Sequence, residues 1–175
     1  NLGEGKLEGT KDNDAYYYLG IAYEKSGDAQ KAEECYQKAT LGDIEPTGVM
    51  YYNDQPADMI LYQGLANLKL GRKAEAVSKF YKLIDYGEKH IFDKMRIGYF
   101  AVSLPDFLIF EDDLNLRNKA HCYFLIGLGN FGLGNFEEAR EYLKEAFKLD
   151  QNHLKCKLIL KDIDEKEGLL CSLLK

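Results

Sequence analysis

Apolar residues recur at helical spacing in three separate stretches of this chain, and each stretch carries glycine at the same two places. The first runs Tyr16-Tyr17-Tyr18-Leu19-Gly20, then Gly27-Asp28, Ala32, Tyr36 and Ala39. The second has Ile60, Gly64, Gly71, Ala76 and Phe80; the third has Tyr123, Gly127, Gly134, Ala139, Leu143 and Ala146. Apolar steps of three and four predict helices with one buried face. The second glycine of each stretch predicts a turn between two helices. A single helix pair cannot bury its apolar face alone, so the recurrence predicts a stack of repeats whose function lies in the surface the stack makes.

The local signals fill in the units. Asp12, Asn13 and Asp14 are placed to cap a helix from about Ala15 to Ser26. Gly27 ends it, and Asp28 caps a partner helix reaching about Ala39. In the third unit Asn135 and Glu138 form a capping-box-like pair after Gly134. A glycine inside a helix costs about 1 kcal/mol against alanine. The repeated Gly20, Gly64 and Gly127 therefore predict a close helix approach, with Ala32, Ala76 and Ala139 opposite and Tyr36, Phe80 and Leu143 filling the wider gap beyond. A last helix, about 153–167, lacks the glycine and aromatic of the repeat and suits a terminal cap.

Two long connections interrupt the series. Residues 41–56 contain Pro46, Gly48, Tyr51 and Tyr52, with Pro56 expected in the first turn of the next helix. Residues 87–118 include an apolar run at 99–110 that is too hydrophobic for a solvated linker and is expected to pack on the stack.

The quoted Gly, Ala and aromatic sites resemble the tetratricopeptide repeat family over about 13–46, 57–90 and 120–153. There are departures. The usual early Trp is Tyr16, Ile60 or Tyr123, and the second aromatic of the first helix is Tyr23 but then Asn67 and Asn130. No Pro follows Asp150. The resemblance implies an all-α fold: three antiparallel helix pairs and a cap helix stacked as a short right-handed superhelix, one domain over 1–175 with a packed insertion at about 87–118. The segments 51–56 and 99–107 are similar to the C-terminal repeat region of large bacterial proteins of unknown function, whose β-rich N-terminal part is similar to carbohydrate-active domains. That likeness implies a cytoplasmic, non-catalytic piece of a larger protein, and a chain starting at Asn1 rather than Met fits a piece.

In this family the first helix of each pair lines a concave groove. Carried over by spacing, the groove candidates are Tyr17, Ile21 and Glu24, then Leu61, Leu65 and Leu68, then His121, Phe124, Leu128 and Phe131. The sites matching the family's carboxylate clamp are Tyr17, Ile21, Tyr62, His121 and Leu125, and none is a cation, which excludes that clamp. An apolar groove of this kind takes an amphipathic helix from a protein partner or another domain of the parent, or residues 100–110 of the insertion, or a second copy in a homodimer.

Charge and chemistry narrow the classes. The net charge of -6 disfavours nucleic acid and anionic membrane surfaces, and no apolar run is long enough to cross a bilayer. Cys35, Cys122, Cys156 and Cys171 lack C-x-x-C spacing and fall in predicted helices, which reads as packed, reduced thiols. His90, His121 and His153 have no ligand spacing. Gly127, Gly129 and Gly132 match G-x-G-x-x-G, but they lie in a predicted helix rather than after a strand. Glu111, Asp112 and Asp113 suit the start of a helix. Asp12-Asn13-Asp14 lacks the glycine and distal Glu of a calcium loop. No cofactor or metal is expected, and the chain reads as a non-enzymatic interaction scaffold. Two alternatives stay open: an accessory domain lending Tyr51, Tyr52 or Asp106 to a carbohydrate-processing site, and a homodimerisation module. Tyr51 and Tyr52 are the loop pair expected to touch a ligand.

Overall fold

The computed structural model describes residues 11–48, 55–95 and 113–164. Among these, all regular structure is helical: α1 (Asn13–Lys25), α2 (Ala29–Ala39), α3 (Met59–Lys69), α4 (Lys73–His90), α5 (Leu114–Leu133), α6 (Phe136–Leu149) and α7 (Leu154–Asp164). Helices α1/α2, α3/α4 and α5/α6 form antiparallel pairs. Successive first helices touch (α1 with α3, α3 with α5), and each second helix meets the first helix of the next unit.

The three intra-pair turns are built alike. Gly27, Gly71 and Gly134 have φ of 85°, 74° and 81°, the left-handed region that glycine enters without a Cβ penalty. The next residue's N–H reaches back to the helix: Asp28 to Tyr23 O at 3.0 Å, Arg72 to Asn67 O at 2.8 Å, Asn135 to Asn130 O at 2.9 Å. The glycine N–H bonds Glu24, Leu68 and Phe131 carbonyls, completing a Schellman motif each time. Asn67 and Asn130, where the family pattern has an aromatic, bond the carbonyls of Gln63 and Ile126 one turn back.

The interior glycines do hold close contacts, but against the large residues rather than the alanines. A Cβ on Gly20 would lie 2.5 Å from the Tyr36 ring, on Gly64 2.3 Å from Phe80, and on Gly127 2.7 Å from Leu143. The bulky side chain of the second helix lies over bare backbone of the first. The G-x-G-x-x-G glycines sit inside α5: Gly127 serves its packing on α6, and Gly129 and Gly132 its packing on α4. A Cβ on Gly129 would meet Phe80 O at 2.5 Å, and one on Gly132 the Phe80 ring at 2.3 Å. Gly87 of α4 faces Ile126 and Cys122 O of α5 in the same way. Gly87 thus lies within α4, which continues to His90, and α5 starts at Leu114. Both helices extend into the stretch expected as insertion; the apolar run at 99–110 lies outside the described residues.

The capping expectations divide. Asp28 caps α2, accepting from Lys31 N at 3.1 Å, and Asp113 caps α5 through Asn115 N and Leu116 N. Asn13 is no cap. It is buried inside α1 and donates from Nδ2 to Ala39 O at 2.8 Å and Leu41 O at 2.7 Å, fastening the end of α2. Asn135 makes no side-chain cap bond, and its amide turns to Asn130 Oδ1. Pro56 precedes α3 in a turn whose bond runs from Met59 N to Pro56 O. Two further buried amides pin the first connection: Gln55 brackets the Asp43 backbone, and Gln63 donates to Leu41 O and Asp43 O while accepting from Lys79 Nζ.

Candidate binding groove

The first helices and α7 enclose a concave groove of about 230 Å3. Each wall is one face of a helix. Asp58, Leu61 and Tyr62 come from the start of α3 at steps of three and four, and Phe124 and Leu128 from α5 at a step of four. Lys155, Leu158, Ile159 and Asp162 line it from α7 at i, i+3, i+4 and i+7, and Tyr18 from α1. Leu61 and Leu128 are buried, whereas Tyr18 is 38% and Leu158 55% exposed. The floor is apolar, and the rim offers apolar surface to solvent.

Polar groups frame the rim. Lys155 pairs with Asp58, tying α7 to the start of α3 across the groove. The Tyr18 and Tyr62 rings meet edge to face, centroids 5.8 Å apart. Burial holds the Tyr62 hydroxyl well above the ordinary phenol range, helped by Tyr18, Asp58 and Asp14. Burial also raises Tyr18, which Asp162 and Asp14 push further while a bond from Tyr62 opposes.

The sequence-derived groove candidates distribute as follows. Leu61, Phe124 and Leu128 line the groove. Tyr17, Ile21, Leu65 and Phe131 are buried in the core beneath, with Tyr17 between the rings of Tyr36 and Tyr62. Leu68 is half-buried against that core. Glu24 is exposed and held by Tyr36 Oη and by Lys69 Nζ at 2.9 Å; these bonds keep its carboxyl below the usual range. His121 sits in another cleft, donating from Nε2 to Thr47 O at 2.9 Å. Tyr51, Tyr52 and Asp106 lie outside the described residues. Sequence reasoning missed the α7 wall, although the 155/158/159/162 spacing was there to read, because α7 was assigned only a closing role.

The His121 cleft holds a second imidazole, His153, whose Nδ1 accepts from Cys156 N at 3.2 Å while its ring rests 4.2 Å from that of Phe124. Burial pushes both imidazoles down. Among the described residues, no three His, Cys, Asp or Glu side chains gather as metal ligands would. Cys35, Cys122 and Cys156 are free and buried, and burial raises the last two thiols to about 12. Such thiols are packing residues rather than nucleophiles. No helix among the described residues is long and apolar enough to cross a membrane.

Comparison with family models agrees with this architecture. A model described as tetratricopeptide repeat matches residues 13–41 and 120–153, and a second one of the same description matches 58–86. The matched segments coincide with the three helix pairs and together span more than half of the sequence. The chain belongs to the tetratricopeptide repeat family.

Proposed function

We propose that this chain is a non-catalytic scaffold that holds a protein or peptide partner, or another domain of its own parent, in the groove between α1, α3, α5 and α7. Tetratricopeptide repeats generally mediate protein–protein interaction. The observation that carries the reading is the exposed apolar rim, Tyr18 and Leu158, set over a buried apolar floor. Exposed apolar surface joined to a concavity is where partner side chains gain most from leaving water.

Peptide display on the immobilised chain tests this. Selected peptides should lose on the order of tenfold affinity with Leu158→Glu or Tyr18→Ala, because each removes rim area of a buried contact. They should be indifferent to Tyr81→Ala, exposed on α4 away from the groove. Peptides that ignore both groove changes would place the partner surface elsewhere. A second reading, self-association through the groove face, is favoured by Leu154 and Leu158, exposed one turn apart on α7. Light scattering that finds a monomer at high concentration rules it out.

A further inference from the structure

We infer that His153 is a pH switch on α7: its neutral imidazole caps the helix that walls the groove, and protonation removes the cap and loosens that wall. The switch is a property of the chain itself. Its effect on a partner rests on the groove being the partner site.

The cap has both parts of a helix N-cap. His153 immediately precedes α7, and its carbonyl accepts the first helical bond, from Lys157 N at 3.1 Å. Its Nδ1 accepts from Cys156 N, three residues on, at 3.2 Å, the bond that Ser, Asp or Asn side chains commonly make. A backbone N–H only donates, so Nδ1 carries no proton here and the ring is neutral. A proton on Nδ1 would turn that acceptor into a donor facing a donor. It would also set a cation at the helix N-terminus, where the free N–H groups already carry positive partial charge. Ser, Asp and Asn caps never become cations.

Helix α7 is placed to feel the loss. It has 11 residues, and helices that short are marginal without outside support. Its far end is pinned to α6, where Arg140 Nε donates to Asp164 Oδ1 at 2.8 Å. Its near end rests on the His153 cap, on the Lys155–Asp58 pair and on Cys156, whose Sγ donates to Leu143 O at 3.0 Å. Lys155, Leu158 and Ile159 wall the groove, so fraying of the first turn opens it from that side. Phe124 joins the two sites directly: it lines the groove, and its ring lies 4.2 Å from that of His153.

The surroundings set the pH range. Burial is the strongest influence on His153 and disfavours the imidazolium; Lys155 of α7 adds to it, while Asp150 after α6 and Asp58 before α3 oppose it. His121 of α5 shares the cleft, and a charge on His153 works against one on His121. Asp113 and Arg117 complete the charged lining of that cleft. Burial prevails, so His153 takes up its proton below the ordinary imidazole value of 6.5. Helix α7 is therefore capped at neutral pH and loses its cap in acid.

The test is amide hydrogen exchange by NMR on the full 175-residue chain, from about pH 7.5 to about pH 5, expressed as protection factors. Protection at Cys156 and Lys157 should fall on the order of tenfold as the His153 ring titrates, while Leu143 in α6 keeps its own. His153→Asn keeps an acceptor at the cap and cannot be protonated, so its α7 protection should stay level; His121→Gln should leave the fall in place. Protection at Cys156 that is level in the wild-type chain, or that falls equally in His153→Asn, overturns the switch. A display-selected peptide supplies the second arm. Its affinity should drop on the order of tenfold over the same range in the wild-type chain and hold in His153→Asn. Affinity that holds in both, beside a fall in Cys156 protection, overturns the coupling to the groove. Peptide binding indifferent to Leu158→Glu overturns the groove as partner site and leaves the switch standing on the exchange data.

Discussion

Gly64→Ala is a sharp probe of how the repeats lock together. Alanine is the better helix former by about 1 kcal/mol, so propensity alone favours the change. Packing opposes it. The added methyl would stand 2.3 Å from Phe80 Cε1, about 1.2 Å inside ordinary carbon contact. The Phe80 ring has little room to give, because Gly132 of α5 packs against the same Cδ1–Cε1 edge just as closely and the ring is 1% exposed. Overpacking of this kind costs about 1–3 kcal/mol or more. We expect a net loss of about 1–2 kcal/mol, or roughly 2–8 °C in melting temperature for a chain of this size. The assay is a double-mutant cycle with Phe80→Leu, read by urea and thermal unfolding. In the Phe80→Leu background the clash is gone, so Gly64→Ala should be neutral or stabilising. A stabilising Gly64→Ala in the wild-type background, or a coupling below about 0.5 kcal/mol, would refute the reasoning.

Other expectations follow from the same contacts. Asn13→Ala removes a buried bond to Ala39 O and a partly buried one to Leu41 O and should cost about 1–3 kcal/mol in urea unfolding; Asn13→Asp, which sets a carboxylate against those carbonyls, should cost more. Leu65→Glu, at 2% exposure, should cost several kcal/mol, whereas Leu158→Glu, at 55%, should leave the melting temperature unchanged. Burial holds His121 and His153 below the ordinary imidazole value of 6.5, so the folded chain binds fewer protons than the unfolded one below that pH. Stability should be intact above about pH 6.5 and fall as pH drops through the folded values, and the double change His121→Gln/His153→Gln should flatten that slope in urea midpoints.

The repeat architecture was legible because its signals are local. Gly27, Gly71 and Gly134 each announce a turn whose backbone bonds involve neighbours in sequence, and the apolar period marks each buried face. What escaped depended on distant partners. Asn13 looked like a cap because caps are local, yet its bonds lie 26 and 28 residues away. Gly87 looked like the end of a helix because the α5 backbone that needs it is far along the chain. The groove was legible in part: Leu61, Phe124 and Leu128 follow from the family resemblance carried over by helix spacing. Tyr18 rather than Tyr17 faces the groove because Tyr17 is taken by the rings of Tyr36 and Tyr62, a tertiary choice that a run of three tyrosines conceals.

The most direct test of the groove as partner site is methyl NMR of the chain titrated with a display-selected peptide. The account predicts shifts concentrated at the Leu61, Leu128, Leu158 and Ile159 methyls, with Leu83 and Leu143 in the pair interiors unmoved. Shifts confined to methyls outside the groove, with those four still, would contradict it.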